Sequence, residues 1–350
     1  MGIRIKNKIL EIPIIQGGMG VGVSLGRLAG AVMSKGAMGT ISAAQPGFGN
    51  IDFKSKTLES NLNQLDQEVV KARKGSKGKG ILAVNIMVAN STYAEMVKQA
   101  VKSGVDAIVS GAGLPLELPE LVNGSEVAIA PIVSSGRAAN VICRSWKRKY
   151  NRIPDFIIVE GPEAGGHLGF SESELNNKSH KNLMELLEDV KEATKPYSDG
   201  ENNEIPIFVA GGVYTKKDID DYLEAGATGV QMGTRFIATE ECDATDEYKE
   251  QFIKAKKEDI TLVKSPAGLP GRAIRNPFLK KVNEGRVKPL YCTGCLLTCN
   301  PKTTPYCISH ALINAVTNRV DEGLVFSGTN GWKIDKIISV SSLIDELTGV

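Results

Sequence analysis

The feature that most constrains this chain is an alternation, repeated eight times, of a short apolar run with a longer helix-like segment. The apolar runs occupy residues 12–19, 37–44, 80–88, 107–113, 128–135, 156–161, 205–213 and 229–236. They are rich in β-branched residues and nearly continuous in apolar character, the pattern of strands covered by helices on both faces. Helical spacing fills intervals such as 26–35, 93–103, 138–150, 216–225 and 246–256. The phrases KSGVDAIVSGAG and LEAGATGVQMGT share one grammar, a helix closed by glycine and followed by a buried strand. Eight such units within residues 1–256 match the roughly 250 residues of a closed (β/α)8 TIM barrel. A doubly wound open sheet is the alternative.

Two segments depart from the plain repeat. Residues 169–204 form a polar insertion after the sixth strand, with a helix expected at 182–193. Residues 257–350 form a C-terminal, cysteine-containing extension with helices expected at 308–319 and 340–347, packed near the barrel mouth. The basic runs at 71–80 and 144–152 read as solvated helix ends or loops.

Composition narrows the partners. A formal charge of +2 produces no strong basic field for nucleic acid or a membrane surface, which points to a small-molecule substrate. No uncharged apolar run reaches 18 residues, and the opening MGIRIK lacks both an apolar signal core and a myristoylation Ser or Thr. A cytoplasmic location is expected. A homodimer is compatible with this reading, and the oligomeric state is left open.

In a parallel barrel the chemistry sits at the C-terminal strand ends, where the glycine-rich phrases fall. QGGMG (16–20) ends the first strand, AGGV (210–213) the seventh and MGTRF (232–236) the eighth. Glycines there let backbone N–H groups approach an anion, and the ends of strands seven and eight are the usual phosphate site of this fold. A phosphate-bearing cofactor is expected. Strand six ends in EGPEAGGHLGF, which places His167 after two glycines in the mouth. An imidazole with a pKa near neutrality can give or take a proton there. Glu160 and Glu163 flank it as cofactor partners or as orienters of His167. Asn85, a polar residue in an apolar strand, is suited to read the edge of a flat ligand, or else caps a loop. His180 and His310 read as structural.

These phrases together resemble the nitronate monooxygenase (2-nitropropane dioxygenase) family and its relative, the flavin-dependent type II enoyl-ACP reductases. The resemblance rests on PIIQGGMG, VNIMV, SGAGLP, VEGPEAGGHLG, IPIFVAGGVYT, GATGVQMGTRF and SPAGLPGRAI, and it runs from residue 12 to 274. It implies an FMN-dependent oxidoreductase with FMN at the barrel mouth. Gly17, Gly18 and Met19 would flank the isoalloxazine, with Asn85 and Met87 beside it. Gly165, Ala210, Gly211, Gly212, Gly233 and Thr234 would hold the ribityl chain and phosphate, with Gly166, Ser134 and Glu160 also bordering the cofactor. His167 would be the catalytic histidine. The reaction implied is oxidation of a nitronate or reduction of a small acceptor. The alternatives are NAD(P)H-dependent enoyl-ACP reduction and a flavin/iron–sulfur electron relay to a redox partner protein.

Of six cysteines, Cys292, Cys295, Cys299 and Cys307 are crowded into one short run, CTGCLLTCNPKTTPYC. In a reducing compartment such crowding favours metal over disulfides. The run is similar to the four-cysteine stretch of the trimethylamine dehydrogenase and 2,4-dienoyl-CoA reductase group, with a shorter last interval. That similarity implies a [4Fe–4S] cluster near the flavin; zinc and unliganded thiols are the other readings. Cys143 and Cys242 read as ordinary core or surface residues.

Overall fold

Eight parallel strands close on themselves: β1 (Ile14–Gln16), β2 (Met38–Ser42), β3 (Ile81–Met87), β4 (Ala107–Gly111), β5 (Ala128–Val133), β6 (Ile157–Glu160), β7 (Ile207–Ala210) and β8 (Gly229–Met232). Each pairs with its sequence neighbours, and β8 pairs with β1, so the sheet is a closed (β/α)8 barrel and not an open one. This computed structural model describes residues 2–198 and 204–350.

The strands are shorter than the apolar runs, for a local reason. Strand β7 stops at Ala210 because Gly211 and Gly212 take φ of +97° and +86°, outside the strand region. Strand β1 likewise ends at Gln16, where the glycines of QGGMG turn out of the ladder.

Two apolar layers hold the barrel. Ile15, Met38, Ile81, Val109, Ile158 and Phe208 fill its interior, and Phe156 meets Phe208 edge-on with ring centres 5.7 Å apart. A hairpin, Ile3–Ile5 with Lys8–Leu10, contributes Ile5 and Leu10 to the same cluster. The second layer packs the outer strand faces against the helices, including Leu28, Val69, Ile142, Leu187 and Leu343. Such packing leaves only the C-terminal strand ends to hold a ligand.

The basic runs coincide with helix ends. Arg73 and Lys74 sit in the last turn of the helix Thr57–Gly75, and Lys147, Arg148 and Lys149 in that of Gly136–Tyr150, where cations offset the helix dipole. In the 169–204 insertion, Ser171 and Asn182 form capping boxes that start the helices Glu172–Asn177 and Leu183–Thr194. The second of these packs on Gly136–Tyr150, β6 and β7, the place of an ordinary barrel helix. Residues 199–203 of the insertion lie outside the described residues.

After residue 256 the chain leaves the barrel. Ile260–Lys264 and Pro270–Ile274 form an antiparallel pair, and Gly166–His167 joins it as a third strand. The helix Pro277–Glu284 follows, then an irregular stretch, then Ile308–Ala315, shorter than the 308–319 expected. The last helix, Val340–Thr348, returns to pack on Gly26–Ser34 and Lys216–Glu224. Among the described residues no helix is long and apolar enough to cross a membrane.

Candidate active site

The C-terminal strand ends enclose a cavity of about 470 Å³. Every flavin-site residue named from the sequence lines it, together with His167. They come from β1, β3, β5, β6, β7 and β8, so closure of the barrel alone brings them together.

Close packing shows why glycine occupies two of these positions. A Cβ on Gly18 would lie 2.3 Å from Cβ of Asn85, so only glycine lets the β1 loop cross the Asn85 side chain. Gly212 combines φ of +86° with a site where a Cβ would meet a Glu163 carboxylate oxygen at 2.3 Å. Gln16 braces the β1 end: its amide donates to the carbonyls of Gly17 (2.5 Å) and Thr40 (3.2 Å) and accepts from Thr40 N–H.

His167 sits on the short strand paired with Gly271, not on a free loop. Its Nε2 lies 2.7 Å from the Ser265 hydroxyl, and its ring meets Phe326 at 5.2 Å between centres. The Ser265 oxygen also accepts from the Ala267 N–H at 3.2 Å, which fixes the hydroxyl beside the ring. Burial pushes the imidazole down to about 4. This corrects the expectation of a pKa near neutrality, because the sheet pairing and Phe326 shield the ring from the water that would stabilise its charge. Glu160, at the end of β6, shifts the other way, and burial raises its carboxyl to about 8. At neutral pH both groups are therefore uncharged, the imidazole as a base and the carboxyl as an acid.

Sequence reasoning missed several contributors. Gln231 on β8 is buried beside Gly17, and its Oε1 has no hydrogen-bond partner. It carries the same signal that singled out Asn85, a lone amide in an apolar strand. Arg235 lines the cavity at the β7–β8 side, with its guanidinium 4.4 Å from the Tyr214 ring centre and 2.8 Å from Glu346. The phrase FSGTN, residues 326–330, also lines the cavity from far along the chain. Gly328 N–H donates to Thr234 Oγ1 (3.0 Å), Thr329 N–H to the Glu163 carbonyl (3.1 Å), and Asn330 to the Gly212 carbonyl (2.6 Å). Buried Arg272 holds the EAGGH turn by donating to the carbonyls of Pro162 (2.7 Å) and Ala164 (2.6 Å).

The four clustered cysteines lie on the irregular stretch and line one small cavity of about 30 Å³. The expected closed ligand set is not assembled there. Among the described residues no three His, Cys, Asp or Glu side chains are gathered closely enough to hold a metal ion. Cys292 faces solvent while the other three are half-buried.

Comparison with known proteins places the whole chain. A family model described as nitronate monooxygenase matches residues 4–349. A probable nitronate monooxygenase of Staphylococcus saprophyticus is 26% identical over 298 residues, covering 79% of each chain. The solved structure of FabK from Thermotoga maritima superposes with a TM-score of 0.73 at 25% identity, covering 97% of this chain and 92% of that one. A nitroalkane oxidase from Streptomyces ansochromogenes shares the fold with a TM-score of 0.71 at 19% identity, covering 97% and 95%.

Proposed function

The chain belongs to the nitronate monooxygenase family and is an FMN-dependent oxidoreductase; from that premise we propose that the barrel mouth is its flavin site and that His167 handles the proton of the reaction. The observation that carries this reading is the convergence of the glycine loops, Asn85, Glu160 and His167 on one cavity.

The residues present suit FMN. The loops at Gly18 and Gly212 form a cradle that a Cβ would fill. Gln231 Oε1 is an orphaned acceptor suited to an N–H of a flat heterocycle. Arg235 and the glycines after β7 and β8 supply charge and backbone donors for a phosphate. When bound, FMN supplies the redox chemistry, accepting and returning the electrons of the substrate.

The protein's own residues do the rest. Neutral His167, oriented by Ser265, takes or delivers a proton at its ring nitrogen. Glu160, protonated at neutral pH, donates a hydrogen bond to an acceptor in the mouth. Phe326 and the FSGTN segment cover the cavity and keep water from the reacting face.

The substrate favoured is a small nitronate. Reduction of an enoyl thioester with NADH or NADPH as donor is the second reading, favoured by the kinship with type II enoyl-ACP reductases. One experiment separates the readings: aerobic turnover of a nitronate, beside NADH or NADPH oxidation driven by an enoyl thioester. Protein without flavin absorbance that fails to take up FMN would overturn both.

A further inference from the structure

We infer that Cys292, Cys295, Cys299 and Cys307 form a thiolate-ligated metal centre that clamps the irregular segment roofing the flavin cavity. This goes beyond the flavin chemistry and does not depend on which substrate the flavin serves.

The first observation is convergence. All four cysteines line the same small cavity, although they are spread along an irregular stretch and one helix start. Apart from them its lining is apolar, hydroxyl or backbone, from residues such as Pro289, Thr293 and Leu296. A cavity whose heteroatoms are chiefly sulfur selects soft metals.

The second is how lightly the segment is anchored, by backbone hydrogen bonds to residues 89–91 and by the partial packing of Val287, Cys295 and Leu296 on a neighbouring apolar cluster. From Lys280 to Thr303 no residue is buried, and Leu290 and Leu297 project into solvent at 88% and 67% exposure. Among the described residues, 286–306 form no helix and no strand beyond an isolated bridge from Leu296 to Asn90. Ordering so long an irregular stretch opposes folding, and the partial burial of Val287, Cys295 and Leu296 offsets it only in part. Small irregular modules of this kind are ordered by disulfides or by metal. All six cysteines are free thiols, which leaves metal.

The third is unsatisfied polarity at the same place. Thr293 Oγ1 and His310 Nε2 are buried without hydrogen-bond partners. Thr293 lines the thiol cavity, and His310 packs on Tyr291, another lining residue, at 4.0 Å between ring centres. In addition, the Gly294 N–H points at Cys292 Sγ (3.4 Å), and Cys307 stands at the N-cap of Ile308–Ala315.

The location ties the centre to the active site. Cys295, Leu296 and Ile308 line both cavities, so one layer of side chains separates the metal from the flavin chamber.

The test uses full-length protein purified under anaerobic conditions, with iron, acid-labile sulfide and zinc measured per chain. Iron and sulfide near four each identify an iron–sulfur cluster, and one zinc identifies a structural zinc; either supports the centre. Cys299→Ser should lower the metal content at least several-fold while leaving the flavin absorbance per chain intact. Should that variant be insoluble, chelator treatment of the wild type is read by trypsin, which should then cut at Arg286 or Lys302. Metal-free protein whose cysteines titrate as free thiols, with those sites still resistant, overturns the inference. Flavin content, read separately, reports on the flavin site alone.

Discussion

The two walls of the cavity are built differently. The barrel wall consists of strand ends whose loops are held by buried ladders, by Gln16 and by glycines that a Cβ would jam. The roof comes from residues 257–339, where a three-stranded sheet carrying His167 gives way to a stretch with no buried residue. The contrast teaches a division of labour. The wall is suited to hold a cofactor in register and itself carries His167, over which the roof lays a pairing strand, Ser265 and Phe326.

The substitution expected to have the largest effect tests the seam where wall and roof meet. His167→Ala should retain FMN absorbance and lose about 10²–10⁴-fold in kcat, the usual range for a general acid–base group. Steady-state kinetics on flavin-replete protein decide it, and unchanged turnover would remove His167 from the mechanism. Next comes the wall. Gly212→Val introduces strain of about 1–3 kcal/mol at a positive φ together with a clash at Glu163, so FMN should bind about 10–100-fold more weakly by fluorescence titration. If FMN affinity held while turnover fell, the assignment of cofactor holding to the wall would fail.

Ser265→Ala removes the partner of Nε2 and should lower kcat about 5-fold with little change in FMN affinity, as expected from losing about 1 kcal/mol of orientation. Ser265→Thr, which keeps the hydroxyl, should restore much of the loss. The smallest effect is electrostatic. In FMN-free protein Glu160 titrates near 8 instead of near 4.5, so its contribution to stability is complete below 4.5 and lost as pH rises through 8. His167 has the opposite sign, its contribution being complete above 6.5 and lost as pH falls through about 4. Thermal unfolding followed from pH 4 to 9 should show both limbs, and Glu160→Gln should flatten the alkaline one. An alkaline limb unchanged in that variant would mean that another group titrates there.

Much of the wall was legible in the sequence. Strand ends are marked locally: an apolar run ends in glycine, and the ligand-facing residue stands at or just past that end, as with Gly17, Asn85, Glu160 and Gly211. Gln231 carried the same mark and was passed over. The roof left almost no such trace. Ser265, Arg272 and the FSGTN segment lie 94 or more residues from the groups they contact in the barrel, and nothing in their neighbourhood signals that distance.

Periodicity and glycine placement by themselves determined eight β/α units with a phosphate-suited mouth and one histidine in it, because each depends on residues a few positions apart. Closure of the sheet rests on the pairing of β8 with β1. The protonation of that histidine was decided only by the tertiary structure. Desolvation depends on what folds over a side chain, and here the covering strand, Ser265 and Phe326 arrive from distant parts of the chain to hold the imidazole neutral.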